Sequence, residues 1–290
     1  MIVLRLAGGL GNQIFQLLAA LLLAERTDQS VFVLTEGLAH YAVPRTPEVL
    51  RLMHSERLVT APDVSVPRWI RWLALRVRAG RWMPFAGICD GGFPASIDAS
   101  HRKKHINLVD GYFQRGWSQT LLDQVLPTVR LQFPPDGMGI ATDHDCLLHV
   151  RGGDFLRFKS HAFLGIDYYS HCITIAQAEG CRSFGVITDD PDYSNRMIAE
   201  LFKRHPGIDI VLLADSSDAL VDFTTLRHAK RRIIGNSTFA WWASAFDSSC
   251  APTMSPDRFV RDIPRDFFLP FERIIPFPAA RGDGWNVANQ

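Results

Sequence analysis

Apolar and polar positions alternate in a recurring order along two stretches of the chain. Residues 1–6 are apolar and short enough for a strand, residues 7–13 form a Gly-rich turn, residues 14–26 carry apolar side chains at helical spacing, and Val31–Leu34 is a β-branched strand. This is a strand–helix–strand unit. From Pro44 to about Gly92 the pattern is irregular, until Ile106–Val109 forms another strand leading into Gly111-Tyr112-Phe113-Gln114. Pro134-Pro135 and the nearby glycines break regular structure and place a boundary between a domain of residues 1–135 and one of residues 136–290.

Beyond the boundary the alternation returns. Strands are predicted at Cys146–Val150, 184–188, 208–213 and 233–235, with helices at 168–179, 192–204, 218–228 and 238–246 between and after them. Such alternation argues for parallel, doubly wound sheets with right-handed crossovers. Past about Pro252 the chain is Pro-rich and weakly periodic, and no element is predicted there.

Composition narrows the class. The 290 residues are 47% hydrophobic and 21% charged, an ordinary globular balance, and at roughly 150 residues per domain they suit two domains. No stretch reaches the roughly 18 uninterrupted apolar residues of a membrane span, and the start lacks a basic region followed by a long apolar one, so a cytoplasmic location is expected. Lys plus Arg at 31 against Asp plus Glu at 30 leaves a charge of +1, too little to predict nucleic-acid binding. The five cysteines lack zinc-ligand spacing and read as reduced structural thiols.

In an open parallel sheet, ligands lie beyond the carboxyl ends of the strands, where helix N-termini present free amides to anions. The loops there carry Arg151-Gly152-Gly153-Asp154, Asp189-Asp190, Ala214-Asp215-Ser216 and Asn236-Ser237-Thr238-Phe239 in the second half, and Gly8-Gly9-Leu10-Gly11-Asn12-Gln13 in the first. Arg151, between an apolar strand and two glycines, is placed to cradle phosphate. Asn236-Ser237-Thr238 also makes a good helix cap, and His149 can equally be an inner-face core histidine. Gly9, Gly11 and Glu36 approach a dinucleotide fingerprint, which would suit an NAD(P)-dependent oxidoreductase, but Ile14 stands where that fingerprint needs Gly or Ala. Asp143-His144-Asp145 resembles a metal-binding string but precedes its strand, at the wrong edge of the sheet.

Taken together, Gly8 to Gln16, Gly111 to Gln114, His149 to Asp154, Leu164 to Tyr168, Thr188 to Asp190 and Asn236 to Ala243 resemble, in order and spacing, the α-1,2-fucosyltransferases of glycosyltransferase family 11. The resemblance implies an α/β, GT-B-like fold of two Rossmann-like domains with a cleft between them. It also implies transfer of L-fucose from GDP-β-L-fucose to the 2-hydroxyl of a galactose-type acceptor, with inversion and no metal or other cofactor. Arg151 would neutralise the leaving diphosphate with help from Ser237 and Thr238; Asp154 would be the base, with His149 behind it. Asp189, Asp190 or Asp215 would read guanine or ribose, while Gly9, Gly11, Asn12 and Gln13 would approach the donor from the first domain, and Asn236 and Phe239 complete the donor set. The family pattern has a second arginine where this chain has Gly152, which leaves open another GDP-6-deoxyhexose such as colitose, or a nucleotide or glycan binder that no longer turns over.

Between Arg68 and Trp82 lie five arginines and three tryptophans without an acidic residue. Such a segment suits peripheral contact with an anionic inner-membrane surface, and with it an oligosaccharide or lipid-linked glycan acceptor of a surface-polysaccharide or O-antigen pathway.

Overall fold

The structure, a computed structural model, describes residues 1–39, 44–59, 86–89, 106–134, 142–161, 164–213 and 218–276. The chain divides into two compact units, Met1–Phe133 and Pro134–Gln290.

In the first unit the strands are β1 (Ile2–Arg5), β2 (Val31–Leu34), β3 (Met53–His54), β4 (Leu58–Val59), β5 (Ala86–Cys89), β6 (Ile106–Val109) and β7 (Arg130–Leu131). Five of them form a parallel sheet in the order β4-β2-β1-β6-β5, and β3 pairs antiparallel with β7. Helix α1 (Leu10–Thr27) begins four residues before its predicted start, because the amides of Asn12 and Gln13 both bond the Gly9 carbonyl and wind the Gly-rich turn into the helix. It is buried from Leu10 to Ala24 apart from Asn12, which explains the apolar run at residues 17–24: a helix covered on all sides needs no polar stripe. Helix α2 (Gln119–Val125) packs against it, capped by the Ser118 hydroxyl.

In the second unit the strands are β8 (Cys146–Val150), β9 (Ser183–Thr188), β10 (Asp209–Leu212), β11 (Arg232–Ile234), β12 (Thr253–Pro256), β13 (Arg258–Val260), β14 (Ile263–Pro264) and β15 (Glu272–Ile275). The helices are α3 (Ile166–Ala178), α4 (Pro191–Arg204), α5 (Ala219–Arg227) and α6 (Thr238–Ala245). Six strands run parallel in the order β10-β9-β8-β11-β12-β15. Counting only the strands of this sheet, this is 3-2-1-4-5-6, the doubly wound Rossmann order, whose direction reverses between β8 and β11. The central strand β8 is buried along its whole length and packs with Phe184, Val186 and Ile233, as a parallel strand covered on both faces must.

Strands β12 and β15 had no sequence prediction. Buried ions interrupt the apolar pattern there: Arg265 and Glu272, both almost wholly enclosed, pair at 2.8 Å, and the Arg265 guanidinium lies over the rings of Trp241, Phe259 and Phe268. A similar pair, Arg232 with Asp247 at 2.5 Å, sits wholly inside at the start of β11, one residue before the predicted strand. Trp241 and Trp242 are enclosed core rings packed edge to face.

Candidate functional site

The reversal point of the second sheet lies between the loops after β8 and β11, and the loop after β9 flanks it. Val150 is in register with Thr188, so Arg151 and Asp189 leave neighbouring strands side by side. Arg151 Nη1 meets Asp189 Oδ2 at 2.5 Å, and the guanidinium carbon stands 4.8 Å from the centre of the Phe155 ring. The Gly152 amide donates to Asp189 Oδ1 at 2.9 Å and the Gly153 amide to Asp190 Oδ2 at 3.0 Å. The other Asp190 oxygen accepts from the Tyr193 amide at 3.0 Å and caps α4. The Tyr193 and Gly153 amides together hold its carboxyl below the ordinary carboxylate range.

Both glycines are required. Gly153 has φ +53, and a Cβ there would stand 2.9 Å from Asp189 Oδ2; at Gly152 a Cβ would stand 2.5 Å from Asp190 Cβ. The position that holds a second arginine in the resembled family is thus closed by Asp190. Asp189 and Asp190, the two described members of the set expected to read the nucleoside, tie the Arg151 turn to the sheet. Asp215, the third of that set, lies outside the described residues, as does the side chain of Asp154, whose backbone falls in the 3-10 turn Gly153–Arg157.

His149 is buried on β8, its ring centre 5.7 Å from that of Phe239. Burial, then the charge of Arg151, lowers its pKa to about 3, so it is a neutral imidazole and a weak base at neutral pH. Its carbonyl accepts from the Tyr169 hydroxyl at 3.0 Å and the Gly235 amide at 3.2 Å, which braces β8 against the loop after β11. The Asn236 amide donates to the carbonyls of His161 and Phe259 at 2.9 and 3.0 Å, fixing that loop, and the Ser237 hydroxyl caps α6 through the Ala240 amide. Thr238 and Phe239 begin the helix behind it.

The first sheet reverses between β1 and β6, and the loops there hold the other conspicuous motifs. Asn12 Oδ1 accepts from Gln114 Nε2 at 2.8 Å, joining the two loops. Gln13 is fully buried: its amide donates to the carbonyls of Gly8 at 3.0 Å and Thr46 at 2.8 Å, and its oxygen accepts from the Val49 amide at 3.3 Å. It therefore holds the Gly-rich turn. Gln16 does likewise for Ala7, accepting from its amide at 3.0 Å and donating to its carbonyl at 3.2 Å. A Cβ at Gly9 would meet open space, and Gly11 is buried in the first turn of α1. Ile14 is enclosed in the core, the packing that set it apart from a dinucleotide fingerprint. Phe113, in the left-handed region at φ +50 yet buried, accepts the Trp117 indole N–H on its carbonyl at 2.6 Å.

Asp145, at the amino edge of β8, accepts the amides of Arg182 and Ser183 at 2.8 and 3.0 Å, and Asp143 pairs with Lys230 at 2.8 Å. Sequence reasoning overlooked Phe155, Tyr169 and Gln114 as parts of these sites. Only their places within or beside the motif blocks could have marked them.

No family model matches the chain. The fold is nonetheless specific: a solved structure of a variant of Arabidopsis thaliana FUT1, in complex with GDP, superposes with a TM-score of 0.55 at 12% identity, covering 88% of this chain and 69% of that one. That likeness shows the fold, the GT-B, fucosyltransferase-like architecture of two Rossmann-like domains. Among curated proteins, the chain is similar to an O-antigen biosynthesis glycosyltransferase, WbnK, of Escherichia coli, 24% identical over 271 residues that cover 82% of this chain and 88% of the relative. It is also similar to an alpha-1,2-colitosyltransferase of Escherichia coli, 23% identical, covering 84% of this chain and 86% of the relative.

Proposed function

We propose that this protein transfers L-fucose from GDP-β-L-fucose to the 2-hydroxyl of a galactose-type acceptor, inverting the anomeric centre without a metal ion, in surface-polysaccharide or O-antigen synthesis. The observation that carries the reading is the Arg151 guanidinium, fixed at the sheet's reversal point by Asp189 and Phe155. As the sugar–phosphate bond breaks, negative charge grows on the departing diphosphate while the sugar becomes oxocarbenium-like, and a preorganised cation answers that charge. The Ser237 hydroxyl and the start of α6 add dipoles of the same sense. Asp154 takes the acceptor proton; His149, on the strand that leads into the same turn, is buried and uncharged.

A second reading, another GDP-6-deoxyhexose such as colitose, is supported by the colitosyltransferase relative and by Gly152 in place of the family's arginine. An array of GDP-sugars and glycan acceptors, with product linkage determined by NMR, separates the two. In the same assay Arg151→Ala lowers kcat/KM at least ~100-fold, the scale of a lost charge-stabilising donor. Near wild-type turnover by a folded Arg151→Ala protein would remove this residue from the mechanism. The acceptor in this reading is an oligosaccharide or lipid-linked glycan reached by peripheral contact of the segment from Arg68 to Trp82, which lies outside the described residues.

A further inference from the structure

We infer that Asp189 is a built-in counter-anion for Arg151, a positioning residue that aims the guanidinium and competes with the diphosphate for it. The inference rests on the proposed GDP-sugar reading and gives Asp189 a duty other than nucleoside recognition.

The carboxylate serves two partners at once. Oδ1 accepts from the Gly152 amide at 2.9 Å and Oδ2 meets Arg151 Nη1 at 2.5 Å, so one rigid group fixes both the backbone and the side-chain tip of the turn. Gly153, at φ +53, completes the arrangement, since a Cβ there would press on Oδ2 at 2.9 Å. The pair is not sealed in the core: the side chains of Arg151 and Asp189 keep 18% and 32% of their exposure, so solvent or ligand can reach them. Phe155 occupies one face of the guanidinium and Asp189 one edge. A guanidinium carries five N–H donors in a fixed fork, a geometry that can serve a carboxylate and a phosphate oxygen together.

An arriving diphosphate then meets a cation already neutralised, with a like charge directly behind it. Aim is gained and ground-state affinity is lost. The exchange suits a transferase, because tight binding of donor and nucleoside-diphosphate product alike slows release without speeding bond cleavage.

Asp189→Asn tests this directly, since the amide oxygen still accepts from Gly152 while the charge is gone. Calorimetric titration with GDP is expected to show binding about 5-fold tighter than wild type, the scale of one partly exposed ion pair. Inorganic pyrophosphate is expected to shift the same way. Donor KM falls together with kcat, the latter because the guanidinium is no longer aimed. A purely structural role predicts the opposite for binding, weaker GDP together with lower thermal stability. Asp189→Glu, restoring charge, returns GDP affinity toward wild type. If the Asn variant does not fold, Asp189→Ser, which also offers Gly152 an acceptor, carries the same expectation. Folded variants with unchanged or weaker GDP binding overturn the inference and leave the GDP-sugar reading standing. Wild-type protein that binds neither GDP nor pyrophosphate overturns both.

Discussion

The substitution Gly152→Ala puts the packing of the Arg151 turn to a quantitative test. The new methyl carbon would stand 2.5 Å from Asp190 Cβ, 3.0 Å from Oδ2 and 3.1 Å from Cγ. Carbon atoms rest at about 3.5–4.0 Å, so the overlap is on the order of 1 Å. The obstructing atom is a Cβ, fixed by the backbone, and no side-chain rotation withdraws it. Relief requires moving Asp190, which caps α4 and holds the Gly153 amide, or moving the turn itself. Overpacking of this kind costs about 1–3 kcal/mol and loss of a cap about 1 kcal/mol, together about 2–4 kcal/mol. At roughly 2–4 °C per kcal/mol for a unit of this size, Tm falls by roughly 5–15 °C. Scanning calorimetry of Gly152→Ala, Asp190→Gly and the double variant measures it. The double variant lacks the opposing Cβ, so its destabilisation is expected to fall short of the sum of the two singles by at least about 1 kcal/mol. A Gly152→Ala Tm within a degree of wild type, or strict additivity in the cycle, would refute the steric account. Arginine at position 152 meets the same obstacle, which gives a physical reason for a single arginine in this turn.

Three further outcomes are expected. The pKa of His149 is lowered to about 3 in the folded state against about 6.5 unfolded, so its contribution to stability is complete above pH 6.5 and declines as pH falls toward 3. Its slope is at most about 1.4 kcal/mol per pH unit, and a His149→Gln variant whose acid unfolding follows wild type at every pH would contradict this origin. Turnover is expected to survive EDTA, since the assigned charge stabiliser is a guanidinium; loss of activity on chelation, regained with added Mg²⁺ or Mn²⁺, would refute metal independence. Vesicles rich in anionic lipid are expected to co-sediment the protein at low salt, and replacing the five arginines between Arg68 and Arg81 by Gln to abolish it; no sedimentation of wild type would count against membrane contact.

Local pattern alone determined most of the framework. Strands such as Cys146–Val150 and Ile106–Val109, and the alternation of strands and helices, are legible because a parallel sheet buried on both faces demands continuous apolar runs between amphipathic helices. The motif loops are legible for a related reason: in such sheets chemistry collects beyond the carboxyl ends of strands, so the loop after each strand yields Arg151, Asp189 and Asn236 without coordinates. How those residues act on one another was decided only in three dimensions. Asp189 and Asp190 lie 37 positions along the chain from the Gly152 and Gly153 amides they hold, and only the β8–β9 register reveals them as supports of the arginine turn. Gln13 looked like a ligand contact and proved a buried brace, because an amide's duty depends on which carbonyls surround it. Strands β12 and β15 escaped notice since Arg265 and Glu272, polar by letter, are buried by virtue of each other, and no one-dimensional pattern records a partner.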